Sequence, residues 1–195
     1  MTTAKRNTIV LVMLISAFVA MLNQTILNTA LPAIIKGLNI TETTAQWLIT
    51  GFMLVNGIMI PLTAFLMDKY TTRKLYIFSM AAFLIGSIIA ALSPGFEILM
   101  VARIIQAIGA GILLPLMQFT VFTLFPVEKR GFAMGLTGIV AQTAPAIGPT
   151  LTGLLIDFFS WRMPFYIVAA IALIAFAIGF FFVENNGQTK ETVLD

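Results

Sequence analysis

MPFYIVAAIALIAFAIGFFFV, residues 163–183, contains no aspartate, glutamate, lysine or arginine. A membrane-spanning helix needs about 20 predominantly apolar residues, so this stretch is long enough to cross a bilayer. Five other stretches lack the same four residue types and are at least as long, namely Asn7–Ile35, Thr43–Met67, Leu75–Phe96, Ile104–Val127 and Gly131–Ile156. The sequence therefore predicts an all-α membrane protein built as a bundle of six transmembrane helices.

The composition agrees with a chain whose solvent is largely lipid. Hydrophobic residues make up 59% of the 195 residues and charged residues 10%, against about 25% charged in a typical soluble domain. Cysteine and histidine are absent, which excludes disulfides, thiol catalysis and ordinary zinc sites. The glycine-rich stretch 109–111 lacks the lysine and hydroxyl residue of a phosphate-binding loop. We expect no enzyme activity, no metal, no cofactor and no nucleic-acid partner. If the chain takes part in transport, the energy for it must come from an ion gradient.

The cations set the predicted orientation. Loops on the cytoplasmic side of a membrane protein carry an excess of lysine and arginine. With the N-terminus inside, the two links on the outer side hold only Lys36 and Arg162, and Arg103 lies within a span. The inner segments hold Lys5, Arg6, Lys69, Arg73, Lys74, Lys129, Arg130 and Lys190. This asymmetry predicts a cytoplasmic N-terminus at residues 1–7, a transmembrane domain at 8–183 and a polar cytoplasmic tail or linker at 184–195.

Polar residues inside the predicted spans are candidates for function. Arg103 shares one helix face with Gln106, because residues three apart in a helix are neighbours. A charge inside a bilayer usually faces a cavity or a partner, although a long side chain can also extend to the headgroups. Asn23, Gln24 and Asn28 lie near the middle of the first span. Buried amides of this kind either line a polar cavity or hydrogen-bond neighbouring helices.

The fifth span is rich in small residues and prolines, at Ala144, Pro145, Gly148, Pro149 and Gly153. Small residues spaced four apart allow another helix to approach closely, and each proline removes a backbone donor and bends the helix. This stretch therefore predicts close helix packing in a helix that bends.

The inner link between the second and third spans carries Asp68, Lys69, Arg73 and Lys74. The cations fit an inner loop by themselves. Alternatively, the carboxylate of Asp68 faces the cations across the turn and holds the two helices in one arrangement.

Three of these stretches resemble motifs of the major facilitator superfamily, and more narrowly of its 14-helix drug:proton antiporters, which include multidrug and lincomycin-resistance exporters. They are LNQTILNTALP at residues 22–32, RIIQAIGAG at 103–111 and APAIGPTLTG at 144–153. The resemblance covers residues 8–183 and implies the N-terminal half of a bacterial plasma-membrane exporter. Its partner would be a C-terminal half or a second copy, and its substrate a small amphipathic drug held between two halves.

The resemblance also implies roles for the residues that match these motifs. Arg103 would couple export to the proton gradient, the inner link would gate, and Ala144, Pro145, Gly148, Pro149 and Gly153 would form the antiporter motif. The substrate cavity would be lined by Asn23, Gln24, Asn28, Gln106, Met117, Gln118, Phe119 and Phe122.

This chain also departs from the family pattern. The inner-link motif usually has glycine at Ala64 and Thr71, and the first span often carries aspartate where this chain has Asn23. Without a carboxylate deep in these spans, the proton site is expected in the other half or at Asp68, Glu97 or Asp157. Two alternatives stay open: a membrane fragment or packing module without transport, which the lack of a seventh span in the tail would fit, and a half that pairs with itself.

Overall fold

The computed structural model describes residues 3–183, which form six α-helices and one 3₁₀ turn. The helices are α1 (Thr3–Leu38), α2 (Glu42–Lys69), α3 (Thr72–Leu92), α4 (Phe96–Leu124), α5 (Arg130–Phe158) and α6 (Met163–Phe182), and the turn at Val127–Lys129 joins α4 to α5. All six helices are long and apolar enough to cross a membrane, which confirms the predicted fold.

Of the two predicted terminal segments, residues 1–7 and 184–195, the structure describes part of the first. Helix α1 begins at Thr3 and passes through Lys5 and Arg6, because no breaker separates these cations from the apolar run. The predicted tail at 184–195 lies outside the described residues.

Short polar segments end one helix and begin the next. Asn39 has a φ of 53°, and asparagine tolerates the left-handed conformation that ends α1. The hydroxyl oxygen of Thr41 then accepts a hydrogen bond from the backbone N–H of Thr44 at 3.2 Å and caps α2. Thr71 caps α3 in the same way by accepting from the N–H of Lys74 at 3.4 Å. These tight links reverse the direction of the chain, so consecutive helices run antiparallel, while α2 packs mainly on α4 and α5 mainly on α1.

Helices α1, α3 and α4 form the centre of the bundle, whereas α2 and α5 bury only one side. The closest approach joins α3 and α4 at two glycines. A Cβ added to Gly86 would lie 2.7 Å from Cγ of Gln106, and one added to Gly109 would lie 2.8 Å from the backbone nitrogen of Phe83. Only glycine leaves room for a neighbouring backbone at this distance, so these two residues set the contact that positions Gln106.

Tyr76 connects three helices inside the bundle. Its side chain is fully buried on α3, and its hydroxyl donates to the carbonyl of Ala175 on α6 at 2.9 Å. The same hydroxyl lies 3.0 Å from Oγ of Ser16 on α1, which in turn donates to the carbonyl of Val12.

We expect Tyr76→Phe to lower the free energy of unfolding by about 1 kcal/mol, because a buried hydrogen bond contributes about 0.5–1.5 kcal/mol. The measurement is thermal unfolding of the purified chain in detergent. Tyr166→Phe is the matched control, since Tyr166 is 44% exposed. An unchanged midpoint for Tyr76→Phe would show that the hydroxyl does not hold the three helices together.

Candidate functional site

A buried arginine lies where four helices meet. Arg103 on α4 is 1% exposed, although it is the largest of the fully buried side chains. Asn23 of α1, Phe52 of α2, Ser87 of α3 and Gln106 of α4 surround it, each at 1% exposure or less. We call these five residues the arginine cluster. The side chain of Arg103 points into the bundle and does not extend to the lipid headgroups.

Gln106 links the members of the arginine cluster. Its Oε1 accepts a hydrogen bond of 2.8 Å from Nη1 of Arg103, and its Nε2 donates to Oγ of Ser87 at 3.0 Å. The same Nε2 makes a longer contact of 3.5 Å with Oδ1 of Asn23. The hydroxyl of Ser87 donates a hydrogen bond of 2.7 Å to the carbonyl of Phe83. One glutamine therefore holds the arginine and ties α4 to both α1 and α3.

Among the described residues, the positive charge of Arg103 has only neutral partners. Besides Gln106, the guanidinium carbon lies 4.1 Å from the centroid of the Phe52 ring, within the range of a cation–π interaction. Within residues 3–183 every acidic side chain is exposed, namely Glu42, Asp68, Glu97, Glu128 and Asp157. Nε of Arg103 and Nδ2 of Asn23 are buried donors without a hydrogen-bond partner. The cluster therefore has spare donor capacity beside an uncompensated charge.

The eight predicted cavity residues fall into three groups by exposure. Asn23 and Gln106 belong to the arginine cluster, and Met117 is buried in the core at 2% exposure. Gln24 is half-buried. The other four lie exposed on α1 and α4, namely Asn28, Gln118, Phe119 and Phe122. Their role as a substrate wall stays a prediction.

The antiporter-motif residues lie on both faces of α5. Ala144, Gly148 and Thr152 form a buried stripe that packs on α1. Gly148 lies against Thr25 so closely that an added Cβ would be 3.0 Å from Cβ of Thr25 and closer still to its hydroxyl oxygen. Pro145 and Pro149 are exposed, Gly153 is half-buried, and α5 continues through both prolines as one helix. The predicted close packing is present at Gly148.

Within residues 3–183, the inner link does not form the carboxylate–cation contact that the sequence left open as one of two alternatives. Asp68, Lys69 and Lys74 are exposed, and Arg73 is half-buried. Arg73 instead donates through Nη2 to the carbonyl of Phe180 on α6 at 3.1 Å. In the part of the chain that the structure describes, Asp68 has no ion-pair partner. The reason is geometric, because α3 turns Arg73 toward α6 and away from α2.

Sequence reasoning missed the contributions of Phe52 and Ser87 to the cluster. A phenylalanine and a serine are ordinary residues in a membrane span, and no spacing rule connects α2 or α3 to Arg103. The one available signal was the pair Gly86-Ser87, because a glycine beside a small polar residue marks a place where helices approach closely.

We expect Gln106→Leu to lower the free energy of unfolding by about 2 kcal/mol, because Arg103 then stays buried without its hydrogen-bond acceptor. The double variant Gln106→Leu/Arg103→Met should recover most of this loss, since the charge is removed as well. Thermal unfolding of the parent chain, both single variants and the double variant gives the coupling energy. Additive effects would show that Gln106 does not act through Arg103.

Six apolar spans that enclose a buried cation at a polar cluster define a polytopic helical membrane protein with an ionised group inside its bundle. Residues 13–194 match the family model described as Major Facilitator Superfamily. The chain belongs to this family of membrane transporters.

Two bacterial relatives and one solved structure show how much of a transporter the chain contains. It is 50% identical to the uncharacterized MFS-type transporter YcnB of Bacillus subtilis strain 168, over 97% of the chain and 40% of that protein. It is 42% identical to the lincomycin resistance protein LmrB of the same organism, over 96% of the chain and 39% of that protein. The human organic anion transporter MFSD10 (TETRAN) superposes with a TM-score of 0.73 at 15% identity, over 94% of this chain and 49% of that one. The chain thus spans about two fifths of the length of these bacterial relatives.

Proposed function

We propose that the chain is the N-terminal half of a proton-driven exporter of amphipathic drugs, located in a bacterial plasma membrane with both ends in the cytoplasm. The observation that carries this proposal is Arg103, which is fully buried and, within residues 3–183, has only neutral partners. An ionised group in such a place is costly and is expected to serve function. The relative named for lincomycin resistance supports a drug as the substrate class.

The distribution of exposed side chains supports a substrate path on one side of the bundle. Exposed polar residues inside the spans occur on α1, α4 and α5, as at Asn28, Gln118 and Gln142, and near the N-terminal end of α2 at Gln46 and Thr50. Phe119 and Phe122 are 44% exposed beside Gln118, so amides and aromatic rings share this surface. The exposed residues of α2 between positions 53 and 65 are all apolar. A mixed surface suits an amphipathic ligand, whereas a wholly apolar one suits lipid.

The coupling role of Arg103 follows from its electrostatics. A fixed positive charge lowers the proton affinity of any carboxylate brought near it. The five acidic side chains within residues 3–183 are exposed, so the proton-binding carboxylate is expected in the C-terminal half. Nε of Arg103 and Nδ2 of Asn23 would be available as donors to it.

The test is drug efflux from bacteria that express the chain alone or together with a C-terminal half from a matching relative such as LmrB. Co-purification shows whether the halves associate. We expect efflux only when both halves are present, and we expect a protonophore to abolish it. Efflux by the lone chain after enforced monomerisation would contradict a half-transporter. Associated halves without efflux would favour a packing module, and efflux that survives the protonophore would contradict proton coupling.

A further inference from the structure

A groove of about 480 Å³ separates α2 from α3 near the inner link. Met59 and Leu66 of α2 form one wall, Leu75 and Phe78 of α3 form the other, and Ile108 of α4 forms the floor. Tyr70 and Lys74 lie at the polar mouth of the groove. We call this cavity the α2–α3 groove. It is apolar inside and has a single cation at its opening.

The cation at the mouth is available for a ligand. Lys74 is exposed, and within residues 3–183 neither its ammonium group nor the Tyr70 hydroxyl has a hydrogen-bond or ion-pair partner. The adjacent cation Arg73 contacts α6 instead, since its guanidinium donates to the backbone carbonyl of Phe180 and lies over the phenyl ring of the same residue. Arg73 thus faces α6, and Lys74 is the cation that lines the groove.

The surface around the groove is apolar. On α3 the exposed residues beyond Lys74 are Phe78, Ile85, Ile88 and Leu92, which follow one side of the helix. The exposed residues of α2 from 53 to 65 are apolar as well. No polar side chain of the kind found on α1, α4 and α5 interrupts these described surfaces. The groove therefore opens onto an apolar surface that suits lipid acyl chains. It does not open onto the mixed surface that we propose for the substrate.

We propose that the α2–α3 groove binds an anionic phospholipid of the inner leaflet, with an acyl chain between the two helices and the phosphate at Lys74. Basic residues at the cytoplasmic ends of transmembrane helices attract anionic headgroups. The placement of Lys74 in the inner leaflet rests on the orientation given in the proposed function. The pairing of one free cation with an apolar groove selects a lipid, because a free phosphate would gain nothing from the walls.

Fluorescence quenching in bilayers tests this site directly. Phe78 is 56% exposed, so Phe78→Trp places a fluorophore at the groove wall with little disturbance of packing. The variant is reconstituted with phosphatidylglycerol or phosphatidylcholine brominated in the acyl chain, and the quenching of the parent chain is subtracted to remove its own two tryptophans. We expect phosphatidylglycerol to bind about fivefold more tightly, the ratio that one lysine near an anionic headgroup supplies.

A second set of variants isolates the cation. Lys74→Gln in the Phe78→Trp chain should abolish the preference for phosphatidylglycerol, whereas Lys129→Gln, an exposed cation at the same end of the bundle, should preserve it. Glycerol phosphate without acyl chains should not relieve the quenching. Equal quenching by both lipids, or a preference that survives Lys74→Gln, would overturn the proposal. Quenching by neither lipid would overturn it as well, because no acyl chain would then lie between α2 and α3. Because binding is measured without transport, failure here leaves the efflux test unaffected.

Discussion

Arg103→Met should abolish drug efflux by the assembled transporter while the six-helix bundle stays folded. The reason is that Arg103 supplies a positive charge to the cluster but contributes little to the free energy of unfolding. Its burial is offset only by Gln106 and the Phe52 ring, and its Nε has no partner. An apolar residue in place of a buried charge is often neutral or stabilising, whereas the released Gln106 oxygen loses its partner at a cost of about 1–3 kcal/mol. These effects oppose each other, so we expect the free energy of unfolding to stay within about 1 kcal/mol of the parent value.

The measurements are protonophore-sensitive efflux in cells that express both halves, and thermal unfolding of the purified chain. Lys36→Met is the matched control, because Lys36 is an exposed cation at the end of α1 and its loss should leave efflux intact. Full efflux by Arg103→Met would remove Arg103 from the coupling mechanism. A variant that no longer folds would show instead that the guanidinium is a structural link between α2 and α4.

The fold could be predicted almost entirely from the sequence, because span length and charge placement act locally along the chain. Helix α6 coincides with the charge-free stretch 163–183 to within one residue. Helix α1 shows the limit of that rule, since it continues through Lys5 and Arg6. Charged residues end the stretch that can lie in the bilayer, but they do not end the helix, because backbone hydrogen bonds form whether or not a side chain is charged.

The arginine cluster could be predicted only in part. The shared face of Arg103 and Gln106 follows from helical periodicity, and their contact at 2.8 Å agrees with it. Their partners Phe52 and Ser87 come from other helices, and their positions depend on how closely those helices pack. Gly86 and Gly109 set the distance between α3 and α4, and Gly51 and Gly111 lie at the contact between α2 and α4; none of these contacts has a signature within a single helix.

At the inner link, charge spacing allows an ion pair that the described residues do not form. Asp68 and Arg73 lie five residues apart, and opposite charges across a short turn favour an ion pair. The structure instead directs Arg73 to a carbonyl on α6. The rotation of α3 about its axis explains this outcome, because it places Arg73 toward α6 and Lys74 beside α2. Sequence spacing gives the separation of two charges but not the direction in which each helix faces.

Gly148→Ala should destabilise the bundle by about 1–3 kcal/mol, the usual cost of overpacking a closely packed contact. The added Cβ would collide with the hydroxyl of Thr25, and α1 would have to move away from α5. Because α5 packs mainly on α1, it has few other contacts to compensate. Gly138→Ala is the matched control on the same helix, since nothing lies within 4 Å of a Cβ built there. Alanine favours a helix by about 1 kcal/mol over glycine, so the control should be neutral or stabilising.

Thermal unfolding of both variants tests the opposite signs, and a second substitution identifies the colliding atom. Thr25→Ala removes the hydroxyl and leaves its Cβ 3.0 Å from the new methyl group, a contact that a small helix shift can relieve. Gly148→Ala/Thr25→Ala should therefore recover much of the stability lost in the single variant. Equal midpoints for Gly148→Ala and Gly138→Ala would contradict close packing at this crossing. Loss of stability without recovery in the double variant would show that the Thr25 hydroxyl is not the atom that limits the approach of α1 to α5.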